Sequence, residues 1–117
     1  AEYVTTTEAK QRRWAREMVR AGADVVLGNH SHVVGPIQFI DGAPVFYSLG
    51  NLVVDLPRFE ATEEGVLVEL TFHGRRLVQI ELHPTVIHDR AQLQLLERDG
   101  DGRVVVRRMR EASRVLE

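Results

Sequence analysis

Residues 22–32 read Gly-Ala-Asp-Val-Val-Leu-Gly-Asn-His-Ser-His, and this stretch constrains the chain more than any other. The apolar triplet Val25, Val26 and Leu27, opened by Asp24, reads as a short buried strand. It runs directly into His30 and His32. Residues two apart in extended backbone point to the same side, so the two imidazoles can converge beyond the carboxyl end of the strand. That is where α/β sheets present their ligands. Neutral imidazole is a common ligand of zinc, manganese and iron, and two at fixed spacing supply half a metal site. A loop with two solvated histidines has the same sequence, since strict metal motifs need further ligands at set spacing.

After His32 come Val33-Val34-Gly35-Pro36-Ile37-Gln38-Phe39-Ile40, the pair Asp41-Gly42, and Ala43-Pro44-Val45-Phe46-Tyr47-Ser48-Leu49-Gly50-Asn51. Here the chain resembles the CapA family, the poly-γ-glutamate capsule-synthesis proteins, a branch of the calcineurin-like metallophosphoesterases. That family's signature runs approximately G-A-D-V-V-x-G-H-H-P-H-V, then a short hairpin, then Y-S-L-G-N. The resemblance reaches back to Glu2-Tyr3 and forward to about Pro84. Two positions depart from it: Asn29 stands where the family has the first of two adjacent histidines, and Ser31 where it has proline. Related phosphoesterases carry Gly-His-Thr/Ser-His, with both histidines as ligands. Laid on that pattern, His30 and His32 fall on the metal ligands and Ser31 on the hydroxyl residue. Asn29 becomes the candidate catalytic-site contact, since an amide can reach a phosphate.

The resemblance implies the carboxyl-terminal half of a four-layer α/β/β/α metallophosphoesterase-like sandwich, α/β in class and α+β by content, with a mixed sheet, hairpins and two main helices. Residues 1–117 then form a single portion of one domain, whose amino-terminal half lies elsewhere in a larger protein. Family members precede the Glu-Tyr pair with a His-Trp-Gly that contributes to the site. In the parent, two divalent ions (Mn, Zn or Fe) would be held by His30, His32 and ligands of the missing half. This chain alone is expected to bind metal weakly or not at all, and to be inactive as a phosphoesterase. The implied setting is capsule production at the bacterial cell envelope, with poly-γ-glutamate or a phosphate ester as substrate. The competing class is a non-catalytic envelope or polymer-binding and export protein on the same scaffold, which the change at Asn29 favours. An unrelated small α/β domain must treat Tyr47-Ser48-Leu49-Gly50-Asn51 as coincidence.

Bulk properties narrow the partners. At 117 residues the chain is one domain's worth at most. A net charge of −2 with interspersed charges gives no case for nucleic acid, which requires a basic face. With no cysteine, any metal must use His, Asn and carboxylate ligands. No apolar run among these 117 residues approaches the roughly 20 of a membrane span, and none of them is expected to belong to a signal peptide. Neither a nucleophile elbow nor a P-loop occurs.

Along the chain, a threonine among Thr5, Thr6 and Thr7 caps a helix running to about Ala21, with Trp14, Ala15, Met18 and Val19 as its apolar stripe and Gly22 as its end. A hairpin over 37–40 and 44–47 turns at Asp41-Gly42. Residues 48–51 form a tight loop in which Ser48 and Asn51 are candidate substrate-binding groups. Residues 55–65 read as a solvated polar loop. A second hairpin over 66–73 and 77–83 places Val66, Val68, Leu70 and Phe72 on one face. His73, His83 and His88 are expected at strand ends without partners. A short strand over 91–96, a turn over 99–102 and a helix over 103–116 burying Val105, Met109, Ala112 and Leu116 complete the chain. A dissected half-sandwich exposes surface that the other half covers, so a homo-oligomer is expected.

Overall fold

The computed structural model describes residues 9–29, 31–51, 63–88, 92–97 and 99–114. They form two helices and two three-stranded sheets, a mixed α+β arrangement. The first sheet has the order β1-β3-β2, with β1 (Val26–Leu27) parallel to β3 (Ala43–Phe46) and β2 (Ile37–Ile40) antiparallel to it. The second is the meander β4 (Glu64–His73), β5 (Arg76–His88), β6 (Gln92–Leu95).

Turn chemistry explains the first hairpin. Asp41 and Gly42 both take positive φ, 49° and 82°, as a two-residue primed turn requires. Helix α1 (Ala9–Arg20) ends as its sequence indicates. Gly22 adopts φ 111°, its N–H bonds the Val19 carbonyl, and the Ala23 N–H reaches back to Met18, a Schellman closure.

Only part of the α1 stripe is buried. Ala15 packs with Val45 and Tyr47, flanked by Val19, Val26 and Ile40, whereas Trp14 and Met18 are 46% and 50% exposed. The reason is topological. β1 is a sheet edge among the described residues, and Trp14 and Met18 overhang it above an open groove that also exposes Leu27.

Tyr47 is buried at the end of β3, and its hydroxyl donates to Gln38 Oε1 at 2.6 Å. Burial pushes the phenol above its usual 10.0, and the charges of Arg12 and Arg16 offset this only in part. The folded state therefore holds this proton more tightly than the unfolded chain. The resulting stability is present below about pH 10, where unfolded tyrosine ionises, and is lost as pH rises through the higher folded value. In urea melts above that pH, Tyr47→Phe is expected to lose stability less steeply than the parent chain. Equal slopes would remove the phenol from this account.

The main core joins the two sheets through helix α2 (Arg103–Arg114). Val34, Val66, Val105 and Met109 form its buried centre, with Ile37, Leu49, Val68, Leu82 and Leu96 packed around them. Ala112 is also buried, as its spacing predicts, and Leu116 lies outside the described residues. Ser113 ties α2 to the first sheet: its Oγ accepts the Ile37 N–H at 2.8 Å and donates to Met109 O.

Most strand ends shift by a residue from the sequence expectation, and two strands extend well beyond it. β5 continues past Pro84 to His88, because the Pro84 carbonyl and its N–H-less nitrogen face the last rung toward β6, where Leu96 N–H donates to that carbonyl. β4 begins at Glu64, inside the stretch expected as solvated loop. Glu64 is 5% exposed and pairs with Arg108 Nε at 2.9 Å, so its carboxylate is a buried tie to α2 and not a loop charge. Residues 52–62 lie outside the described residues.

Candidate functional site

β1 and β3 run in parallel and deliver two segments to the same end of the sheet, residues 28–32 and 47–51. Gly28 makes this possible. Its N–H bonds Phe46 O at 2.6 Å, and a Cβ there would sit 2.5 Å from Tyr47 O. Asn29 is exposed beyond it, at the rim of the groove beneath Trp14. His30 lies outside the described residues. Ser31 is buried, and its hydroxyl donates to Val33 O at 3.0 Å, closing a turn.

His32 is the residue on which the geometry converges. Its φ of 62° is the left-handed conformation, sparsely populated for a residue with a Cβ. Such conformations persist only where their surroundings over-determine them. Here Val33 and Val34 anchor the following chain, at 1% and 0% exposure, and Asn51 grips His32 twice. Asn51 Nδ2 donates to the His32 main-chain carbonyl at 3.1 Å. Its Oδ1 lies 3.0 Å from His32 Nδ1. The first contact decides the second, because only the NH₂ end of the amide can approach a carbonyl. Oδ1 then faces the ring, and Nδ1 carries the proton. In the neutral imidazole the lone pair is on Nε2.

Ser48 and Asn51 thus occupy different positions. Ser48 is 3% exposed and its Oγ accepts the Gly50 N–H at 3.3 Å, which shapes the turn. Asn51 reaches out to His32. Residues 48–51 also do more than turn the chain. Leu49 bridges to Val34 and Gly50 to Gly65, so the segment passes from the first sheet to the second.

The second sheet carries a polar cluster that the sequence reading missed. His83 is mid-strand rather than at a strand end, and its Nε2 lies 3.0 Å from Glu69 Oε2. Glu81, opposite Glu69 in register, brings a second carboxylate to the same face. Ligand atoms of Glu69, Glu81 and His83 lie within 4.8 Å of one another. The signal was in the strand period, which puts 81 and 83 on one face. His88 meets Gln94 across β5 and β6. His73 is exposed at the β4 terminus.

Residues 1–56 match the family model described as "Bacterial capsule synthesis protein PGA_cap". Over 88 residues, 75% of the chain, the sequence is 38% identical to "PGA biosynthesis protein CapA" of Bacillus subtilis (strain 168). It is 31% identical, also over 88 residues, to "Capsule biosynthesis protein CapA" of Bacillus anthracis. The chain belongs to the CapA family. These alignments span 23% and 21% of the two CapA relatives, so the chain represents less than a quarter of their length. The family-model match takes in α1, the whole first sheet and both His32 and Asn51. No described helix is long and apolar enough to cross a membrane.

Proposed function

We propose that this part of a CapA protein supplies His32, together with His30, to a divalent-metal centre of metallophosphoesterase type in capsule poly-γ-glutamate production at the bacterial envelope. The observation that carries the reading is the double grip of Asn51 on His32. Metal-binding histidines characteristically donate their second ring N–H to a carboxylate or carbonyl oxygen, which fixes the tautomer and the ring plane. Asn51 supplies that oxygen here. The donor chemistry fits a borderline cation such as zinc, manganese or iron. When bound, a pair of such ions would polarise a phosphate ester and promote its hydrolysis. The work of this chain is to present imidazole nitrogen in a fixed orientation, beyond the end of a parallel strand pair, with Asn29 exposed nearby. Remaining ligands would come from the larger part of the CapA protein. A non-catalytic polymer-binding role on the same scaffold is favoured by one feature, the asparagine at position 29 where the family carries histidine.

Calorimetric titration of zinc into the chain tests the ligand assignment. A His83→Ala background removes the competing carboxylate–histidine face of the second sheet. Weak binding is expected at neutral pH, abolished by His32→Ala and weakened about 10- to 100-fold by Asn51→Ala. It should fade on acidification, since a protonated imidazole has no lone pair to give. Unchanged binding in His32→Ala overturns the reading.

A further inference from the structure

Helix α2 carries five arginines, Arg103, Arg107, Arg108, Arg110 and Arg114, against the single acid Glu111. Arg108 is committed to Glu64. Arg103, Arg107 and Arg110, at i, i+4 and i+7, share another face and line a groove against β5. The floor of that groove is apolar: Ile80 and Leu82 from β5, and Val106 from the helix. Asp99 stands at one end, where the Asp99 carbonyl accepts from Arg103 Nη2 at 2.6 Å. Toward the other end the groove continues past Arg110 along Ile37, Gln38 and Ser113. Among the described residues, no carboxylate pairs with Arg107 or Arg110. At about 1.5 Å rise per residue, the Cα atoms of the three arginines are staged at roughly 6 and 4.5 Å intervals along the helix.

A chain with net charge −2 that concentrates arginine along one apolar trough offers a local, not a global, attraction for anions. Guanidinium groups match carboxylates in planar, two-pronged fashion. Of the residues lining the groove, Phe39 beside Arg110 at the Ile37 end offers an aromatic face, and none lies along Arg103 and Arg107, where successive nucleic-acid bases would need stacking partners. Cationic rim and apolar floor together suit a flexible polymer that alternates carboxylates with methylene spacers. We propose that the α2–β5 groove binds an extended polycarboxylate strand, its carboxylates on Arg103, Arg107 and Arg110 and its methylenes on Ile80, Leu82 and Val106. The choice of polycarboxylate rests on the capsule reading above, but the groove makes no use of His32.

Fluorescence anisotropy with end-labelled poly-γ-glutamate tests the assignment at low ionic strength. Arg107→Gln/Arg110→Gln is expected to weaken binding by about tenfold or more, because two charge-assisted contacts are lost. Arg13→Gln/Arg20→Gln on the exposed face of α1 should change it by less than about twofold, as scattered surface charges contribute little. Added salt should weaken binding by the parent chain. Circular dichroism confirms that the variants fold, and both altered groove residues are exposed. The proposal is overturned if the groove variant binds like the parent, if the α1 variant loses as much, or if no polymer binds. Single-stranded DNA binding as tightly through the same arginines would make the groove a general polyanion site and reject the polycarboxylate assignment. Binding that survives His32→Ala separates the groove from the metal reading. Binding lost in His32→Ala would place the polymer at the metal centre and reject the groove.

Discussion

Gly50→Ala is expected to destabilise the chain by several kcal/mol, on the order of 3, and to dismantle the His32 site with it. Gly50 has φ 76°, and an added Cβ would lie 2.5 Å from Glu64 O, 3.0 Å from Gly65 Cα and 3.1 Å from Val34 Cγ2. The two closest atoms are backbone, so no side chain can swing aside. The left-handed conformation alone costs an alanine about 1–2 kcal/mol, and the collision adds to it. Because Asn51 is the next residue, displacing Gly50 also moves the amide that holds His32. Gly42→Ala is the matched control. Its φ is 82° but nothing lies within 4 Å of its Cβ, so only the conformational cost of about 1–2 kcal/mol applies. Urea denaturation of the two variants checks the difference, and equal losses would show that the close approach at Gly50 is immaterial.

Arg108→Ala should be the second large effect, roughly 2–4 kcal/mol. The Glu64 side chain is only 6% exposed and Arg108 30%, with Arg108 Nε and Nη2 on the two carboxylate oxygens at 2.9 and 3.4 Å. Removing the arginine strands a buried charge, which costs more than the pair itself contributes. The figure sits below the range for fully buried pairs because water reaches part of the guanidinium. Glu64→Gln added to Arg108→Ala removes that charge and should restore a substantial part of the loss. Thermal unfolding of the single and double variants decides this. If the double variant is less stable than Arg108→Ala, the stranded charge is not the cause.

What the sequence made legible was local. The Asp41-Gly42 pair specifies a turn by its φ preferences, Gly22 ends α1, and alternation along β4 brings Val66 and Val68 to the core, while Phe72, past a register shift after Thr71, is left exposed. The fold class and the family were readable because such signals recur in fixed order. Pairings across the fold were not readable. Glu64 sits in a polar stretch, and its partner Arg108 is on a helix whose other arginines are exposed. Glu69 and His83 are 14 residues apart, and their contact depends on the hairpin register. Trp14 and Met18 follow the apolar stripe of α1 correctly, but period alone does not reveal that the sheet beneath them ends at β1. The site was half visible. Val25 to His32 points to the strand end, while the role of Asn51 emerges only when two segments 19 residues apart meet.

The central proposal concerns one atom, His32 Nε2, and long-range ¹H–¹⁵N correlation spectra of the imidazole rings at neutral pH observe it directly. With His32 assigned by comparison with His32→Ala, the metal-free chain should show Nδ1 protonated and Nε2 unprotonated. Added zinc should shift the Nε2 resonance while Nδ1 keeps its proton on Asn51. An Nε2-protonated tautomer, or an Nε2 resonance that zinc leaves in place, would contradict the assignment of His32 as a metal ligand.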